Sequence, residues 1–408
     1  MKQKTKKYLY LQFLLILFIK ISNEKLISVI TLTGYNTGYP DLQRNISFQN
    51  QTENYSFYNS EFTSNGEFFK DLYSKKQSFL SKNFDPTEIK FYSVDHPTII
   101  SNTIGFIKGF YSNINIIPTM NKSKPSSLLD KSYINLYINN PKNDYILNPY
   151  DCLFVKKNHI KKQLKKIIDD QIFEINSNEK SIVIEEYLKN LNISFKKNIT
   201  DIEEKSSFLI NYLVKNNIKE NVKNVSKSSK EIMKKMILNE FYSPFLSGDE
   251  FAKITSSAFL EHIIKLFNIA KVQKFLKNNQ QKFFSYHAFT LNIIDVIGNL
   301  FEQEKLKNII EESINNQEEY DFLIPNSGTT ILFELFNDDL NEKNYYIKIL
   351  VNGKVIENNL DTEQERYYNG EIPYNDFKNL IWESISEDYH SLFCGKQYVY
   401  QQIDLLNK

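Results

Sequence analysis

The apolar run Leu26-Ile27-Ser28-Val29-Ile30, opening into Leu32-Thr33-Gly34-Tyr35-Asn36-Thr37-Gly38-Tyr39-Pro40, constrains this chain more than any other stretch. An apolar strand that runs into a glycine-containing loop is where α/β proteins place anion-binding chemistry, because backbone N–H groups lie free at that edge of the sheet. This loop carries no Arg, Lys or His. The frame for an anion is present, and the charged groups that would hold one are absent.

The residues that follow predict the rest of the frame. Residues 61–80 repeat apolar side chains at helical spacing (Phe62, Phe69, Leu72, Phe79, Leu80), 88–94 alternate as a strand, and 98–111 read as a second helix. This β-α-β-α order predicts an α/β fold, a mostly parallel sheet flanked by helices. Over 156–172, 180–191, 203–214, 227–241 and 251–270 the chain is amphipathic and Lys/Glu-rich, which predicts an inserted all-helical cap subdomain. Its lysine pairs read as a solvated helix face. After 270 the strand pattern returns at 282–286, leading into a helix that ends at Leu300. Two further strands are predicted at 330–336 and 345–351, connected through 337–344, the second ending at an Asn352-Gly353 hairpin turn. The expected division is an α/β core over 25–140 and 270–408, with the cap over 141–269.

Charge and composition exclude some functions. With 50 basic and 49 acidic residues the net charge is +1, so no bulk electrostatic attraction to nucleic acid or to an anionic membrane surface exists. Lys2, Lys4, Lys6 and Lys7 precede a short apolar run at 8–19, the layout of a secretory signal peptide over residues 1–24 cut near Ser22. That run is shorter than the ~18–20 residues of a spanning helix, and no later segment is apolar enough, so no stable membrane span is expected after cleavage. A retained anchor is the alternative. Sequons at Asn45, Asn50, Asn54, Asn121, Asn192, Asn198 and Asn224 fit a glycoprotein. The two cysteines, Cys152 and Cys394, invite pairing in an oxidising compartment, and two unpaired buried thiols remain the alternative. The five histidines are scattered, so neither a metal nor a cofactor is expected.

Four segments, in order, resemble the histidine acid phosphatase family, in the branch of lysosomal and prostatic-type acid phosphatases and phytases. Residues 29–37 sit where that family has R-H-G-x-R. Glu61-Phe62-Thr63-Ser64-Asn65-Gly66 is similar to its E-L-T-x-x-G helix start. Tyr92-Ser93-Val94-Asp95-His96-Pro97-Thr98 is similar to R-S-T-D-x-x-R-T, one residue short. Phe284-Ser285-Tyr286-His287-Ala288-Phe289-Thr290-Leu291 is similar to Y-S-x-H-D-x-T-L. The resemblance implies that Cys152 and Cys394 join the cap to the C-terminal end by a disulfide, and it allows a homodimer.

The resemblance also implies a mechanism, and the residues to run it are missing. In the family a histidine attacks phosphorus, arginines and a second histidine hold the phosphate oxygens, and an aspartate protonates the leaving alcohol. Here the nucleophile position falls on Thr33, the flanking arginines on Leu32 and Asn36, and the third arginine in the contraction at His96-Pro97. The second histidine is retained as His287, and the acid falls on Ala288. Each charge-assisted contact to phosphate contributes ~1.5–3 kcal/mol, so three losses remove on the order of 5–9 kcal/mol. Loss of the acid costs a further ~100–10,000-fold. Tyr35 and His96 are the remaining pocket candidates. The chain is therefore expected to be an inactive acid phosphatase-like glycoprotein of the secretory pathway, secreted or held in a lysosomal or vesicle lumen. Its expected role is to bind a small ligand or protein, or to act as a scaffold. Two alternatives are an acid phosphatase with a non-standard site and a purely structural lumenal glycoprotein.

Overall fold

The computed structural model of the chain describes residues 24–35, 60–76, 79–81, 85–112, 115–120, 133–139, 144, 146–149, 172–194, 201–215, 222, 224–246, 250–276, 281–301, 303–314, 323–324, 326–338, 341–356 and 370–385. The predicted signal peptide (except Glu24), Asn36, Cys152, Cys394, the helix predicted over 156–172 except its last residue, and the sequons at Asn45, Asn50, Asn54, Asn121 and Asn198 lie outside these residues.

A nine-stranded sheet organises the molecule. Its centre is β1 (Glu24–Tyr35), which pairs in parallel with β5 (Phe283–Phe289) and antiparallel with β6 (Thr330–Asp338). Beyond β5 lie β2 (Ile89–Val94), β4 (Tyr133–Asn139) and β3 (Asn115–Met120), all parallel. Beyond β6 lie β7 (Asn341–Val351) and, each paired antiparallel to it, β8 (Lys354–Val355) and β9 (Glu371–Pro373). Five contiguous strands are thus parallel and the other four extend the sheet antiparallel.

Period-two alternation sorts β1 between two cores. Val29, Thr31, Thr33 and Tyr35 face α1 (Ser60–Lys70), the π-helical turn Asp71–Lys76 and α2 (Pro97–Phe110). Phe62 of α1 meets Tyr35 edge-on at 4.9 Å, and Phe110 of α2 lies 5.4 Å from Phe283. Ile30 and Leu32 join the opposite core. That core is shared with α3 (Ser177–Asn190), α4 (Ile202–Lys215), α5 (Lys227–Leu246), α6 (Glu250–Phe275), α7 (Thr290–Leu300), α8 (Gln303–Ser313) and α9 (Tyr374–Ile385).

Several elements differ from the sequence expectation. The helix predicted over 61–80 is α-helical only to Lys70. The wider π-helical turn then carries Tyr73 inward, where its hydroxyl donates to Glu334 Oε1 on β6 at 2.6 Å. The amides of Phe79 and Leu80 both donate to the Tyr73 carbonyl, so the chain turns back there. The connection expected over 337–344 shrinks to 339–340, because β6 runs on to Asp338 and β7 starts at Asn341. Strands β3 and β4 and helices α8 and α9 were not expected. The Asn352-Gly353 turn forms as predicted, with φ of 51° and 80°.

Candidate functional site

The retained histidine sits where two neighbouring strands bring the degenerate positions together. Thr33 of β1 is the register partner of His287 of β5 on one side and of Thr330 of β6 on the other. All three side chains lie on the face covered by α1 and α2.

His287 is sealed. It is 0 % exposed, with Phe106 of α2 packed against its ring at 5.0 Å and Tyr35 stacked on it at 5.7 Å. Both ring nitrogens are occupied: Nδ1 lies 2.8 Å from the Tyr35 hydroxyl and Nε2 lies 3.0 Å from Ser285 Oγ. Ser285 in turn accepts from Thr31 Oγ1 at 2.9 Å. Either tautomer of the imidazole is satisfied by this arrangement, because a hydroxyl can donate or accept. Burial pushes the His287 imidazole down to about 3 and the Tyr35 phenol up. The ring is therefore neutral at physiological and mildly acidic pH, and it carries no charge with which to hold a phosphate.

Thr33 is equally committed. Its Oγ1 lies 2.9 Å from Thr330 Oγ1, and Thr330 donates its own proton to the Gly328 carbonyl at 3.1 Å. The Thr33 proton thus goes to a hydroxyl and not to a base, which leaves it no route to activation. The turn at 326–329 closes over the end of β1: the Gly34 amide donates to Thr329 O and the Gly328 amide donates to Gly34 O. Gly34 is needed here for close approach. A Cβ at this position would meet Ile293 Cγ1 at 2.6 Å and Thr290 Cα at 2.9 Å, so only glycine lets α7 pack against the strand end.

The other candidate residues are dispersed. Leu32 and Ala288 point to the opposite core and are buried there. Pro97 is the first residue of α2. His96 is its N-cap, in an extended conformation with no side-chain capping bond, and its ring lies 5.8 Å from Phe289. Asn36 is outside the described residues. The structure therefore joins Thr33, Tyr35 and His287, with Tyr35 filling space beside the imidazole as part of the core. Sequence reasoning missed Thr31, Ser285 and Thr330. Their signal was hydroxyls at period two, Thr31 and Thr33 on one strand and Ser285 two residues before His287 on the other.

A second, half-buried imidazole lies on the opposite face. His262 of α6 is 2.7 Å from the hydroxyl of Tyr286 on β5, and Tyr286 stacks on Tyr92, which stacks on Tyr137. Burial, with a smaller contribution from Lys265, holds His262 down at about 4. Among the described residues no group of three or more His, Cys, Asp or Glu is placed to hold a metal ion, and no helix is long and apolar enough to cross a membrane.

No family model matches the chain, and no curated protein matches it. Solved structures do. The phytase from D. castellii is 13% identical with a TM-score of 0.57, over 92% of this chain and 83% of that one. The phytase of Klebsiella sp ASR1 is 8% identical with a TM-score of 0.56, over 89% and 96%. The Hafnia alvei phytase in complex with myo-inositol hexakis sulphate is 11% identical with a TM-score of 0.56, over 89% and 98%. At these identities the likeness establishes architecture: the chain has the fold of histidine acid phosphatases, an α/β core with an α-domain.

Proposed function

We propose that this protein is a catalytically inactive relative of the acid phosphatases, kept as a binding or scaffold protein of the secretory pathway, with its helical cap over 141–269. The observation that carries this reading is the sealed imidazole. His287 is neutral, fully buried and bonded at both nitrogens, and the nucleophile position beside it is a threonine bonded to another threonine. Composition supports it. The whole chain contains two arginines, Arg44 and Arg366, too few to rebuild a three-arginine phosphate cradle. The purely structural alternative draws on one feature, the Tyr35 ring occupying the space beside His287. A near-neutral lumen or the cell exterior suits the fold better than an acidic vesicle, because two imidazoles are held neutral inside it.

The test is hydrolysis of phytate and of a simple aryl phosphate between about pH 4 and 6, the range in which a carboxyl general acid operates. The purified chain is expected to release phosphate at the rate of buffer, and His287→Ala to behave identically. Turnover above buffer that disappears in His287→Ala would show an active phosphatase with a different nucleophile.

A further inference from the structure

The last turn of α6 carries an apolar surface that the fold does not use. Val272, Phe275 and Leu276 are 57 %, 85 % and 65 % exposed. Their i, i+3, i+4 spacing puts them on one side of the helix end. Three of the six most exposed large apolar side chains among the described residues therefore fall within a single turn. An exposed cluster of this kind marks a surface that meets something apolar.

Its surroundings are cationic. Lys271 lies over the rings of Tyr345 and Tyr374 at 4.7 and 4.2 Å, and the charge of Lys378 on α9 bears on it. Lys274 donates to Asn337 Oδ1 on β6, and Asn337 is the register partner of Lys25, which is exposed on β1. Four lysines from three elements thus border the apolar turn. Glu24 and Asp338 pair one register step further out.

One further point favours a lipid surface over a protein partner. Phe275 is 85 % exposed at the end of the helix, so it offers a partner an uncovered ring and not a groove. We infer that the C-terminal turn of α6 docks on an anionic bilayer, with Val272, Phe275 and Leu276 entering the acyl boundary and the lysines meeting lipid phosphates.

The experiment compares the full chain with its Phe275→Ser, Leu276→Ser double variant in sedimentation with vesicles. The vesicles are phosphatidylcholine alone, or phosphatidylcholine with about 30% phosphatidylserine to supply surface charge. Both proteins carry the same N-terminus, so the difference between them reads the helix end. Both substituted positions are exposed, so the fold persists, which circular dichroism confirms. The full chain is expected to sediment with the anionic vesicles, to be released by ~0.5 M salt, and to bind about tenfold more tightly than the variant. Equal sedimentation of the two proteins, no sedimentation of either, or equal binding to neutral vesicles overturns the inference. A dimer of the full chain that the variant converts to monomer also overturns it, and assigns the turn to a contact between copies.

Discussion

Gly109→Ala is expected to lower the unfolding free energy by ~2–4 kcal/mol, as overpacking does where nothing can give way. Helices α1 and α2 cross with their backbones in direct contact. A Cβ at Gly109 would lie 1.9 Å from the Thr63 carbonyl oxygen, and a Cβ at Gly66 would lie 2.0 Å from the Phe106 carbonyl oxygen. Ordinary carbon contacts are about 3.5 Å, and a backbone carbonyl has no rotamer in which to escape. The helices would have to separate, loosening Phe62 from Tyr35 and Phe106 from His287. The sign makes the prediction sharp. At an exposed helix position the same substitution stabilises by about 1 kcal/mol through propensity. Chemical denaturation of Gly109→Ala and Gly66→Ala checks it: the midpoint should fall with the slope unchanged. A neutral or stabilising outcome would mean that the two helices do not cross this closely.

Acid should destabilise the fold, and two imidazoles should be the main reason. His287 is held at about 3 and His262 at about 4, both below the ordinary histidine value of 6.5. A base whose pKa is depressed in the folded state binds its proton in the unfolded chain first. Its stabilisation is complete above about 6.5 and is lost as pH falls from there toward the folded value. Each imidazole contributes a slope of about 1.4 kcal/mol per pH unit in that window, so at pH 5 the pair costs about 4 kcal/mol relative to neutral pH. Glu334 acts in the opposite direction. Burial raises its carboxyl, so it favours the folded state as pH falls and offsets part of the loss. The clean comparison is therefore between proteins that share Glu334. Urea titrations of the native chain and of His262→Gln between about pH 6.5 and 4.5 should differ in slope by about 1.4 kcal/mol per unit, the variant being the flatter. Parallel pH profiles would show that His262 titrates normally in the fold.

Much of the frame was legible because the sheet is buried on both faces. Strands β1, β5 and β6 are near-continuous apolar runs, while β2 and the second half of β7 alternate. Strand β4 was not expected: Ile134, Leu136 and Ile138 alternate inward in Tyr-Ile-Asn-Leu-Tyr-Ile-Asn, but asparagines interrupt the apolar signal. Strand β3 contains Pro118, which argues locally against a strand; its place at the edge of the sheet makes that tolerable. The π-helical turn could not be read, because it answers to Glu334, 261 residues from Tyr73 in sequence.

At the candidate site the order of motifs foretold that Thr33 and His287 would meet. It could not foretell what surrounds them. Tyr35 was a candidate pocket residue and instead bonds the imidazole inside the core, a fact of strand register and of Phe62 packing above it. The commitment of Thr33 to Thr330 likewise depends on β6 lying antiparallel to β1, a pairing made across 297 residues.

The most direct measurement is the titration of His287 itself, followed by nuclear magnetic resonance of its ring nitrogens with the His287→Gln variant for assignment. A walled-in, neutral imidazole should keep one protonated and one bare nitrogen unchanged from pH 7 down toward its folded value of about 3, and saturating inorganic phosphate should leave both signals unmoved. A midpoint between about 6 and 7, or signals that shift when phosphate is added, would place the ring in an open anion site and contradict the account.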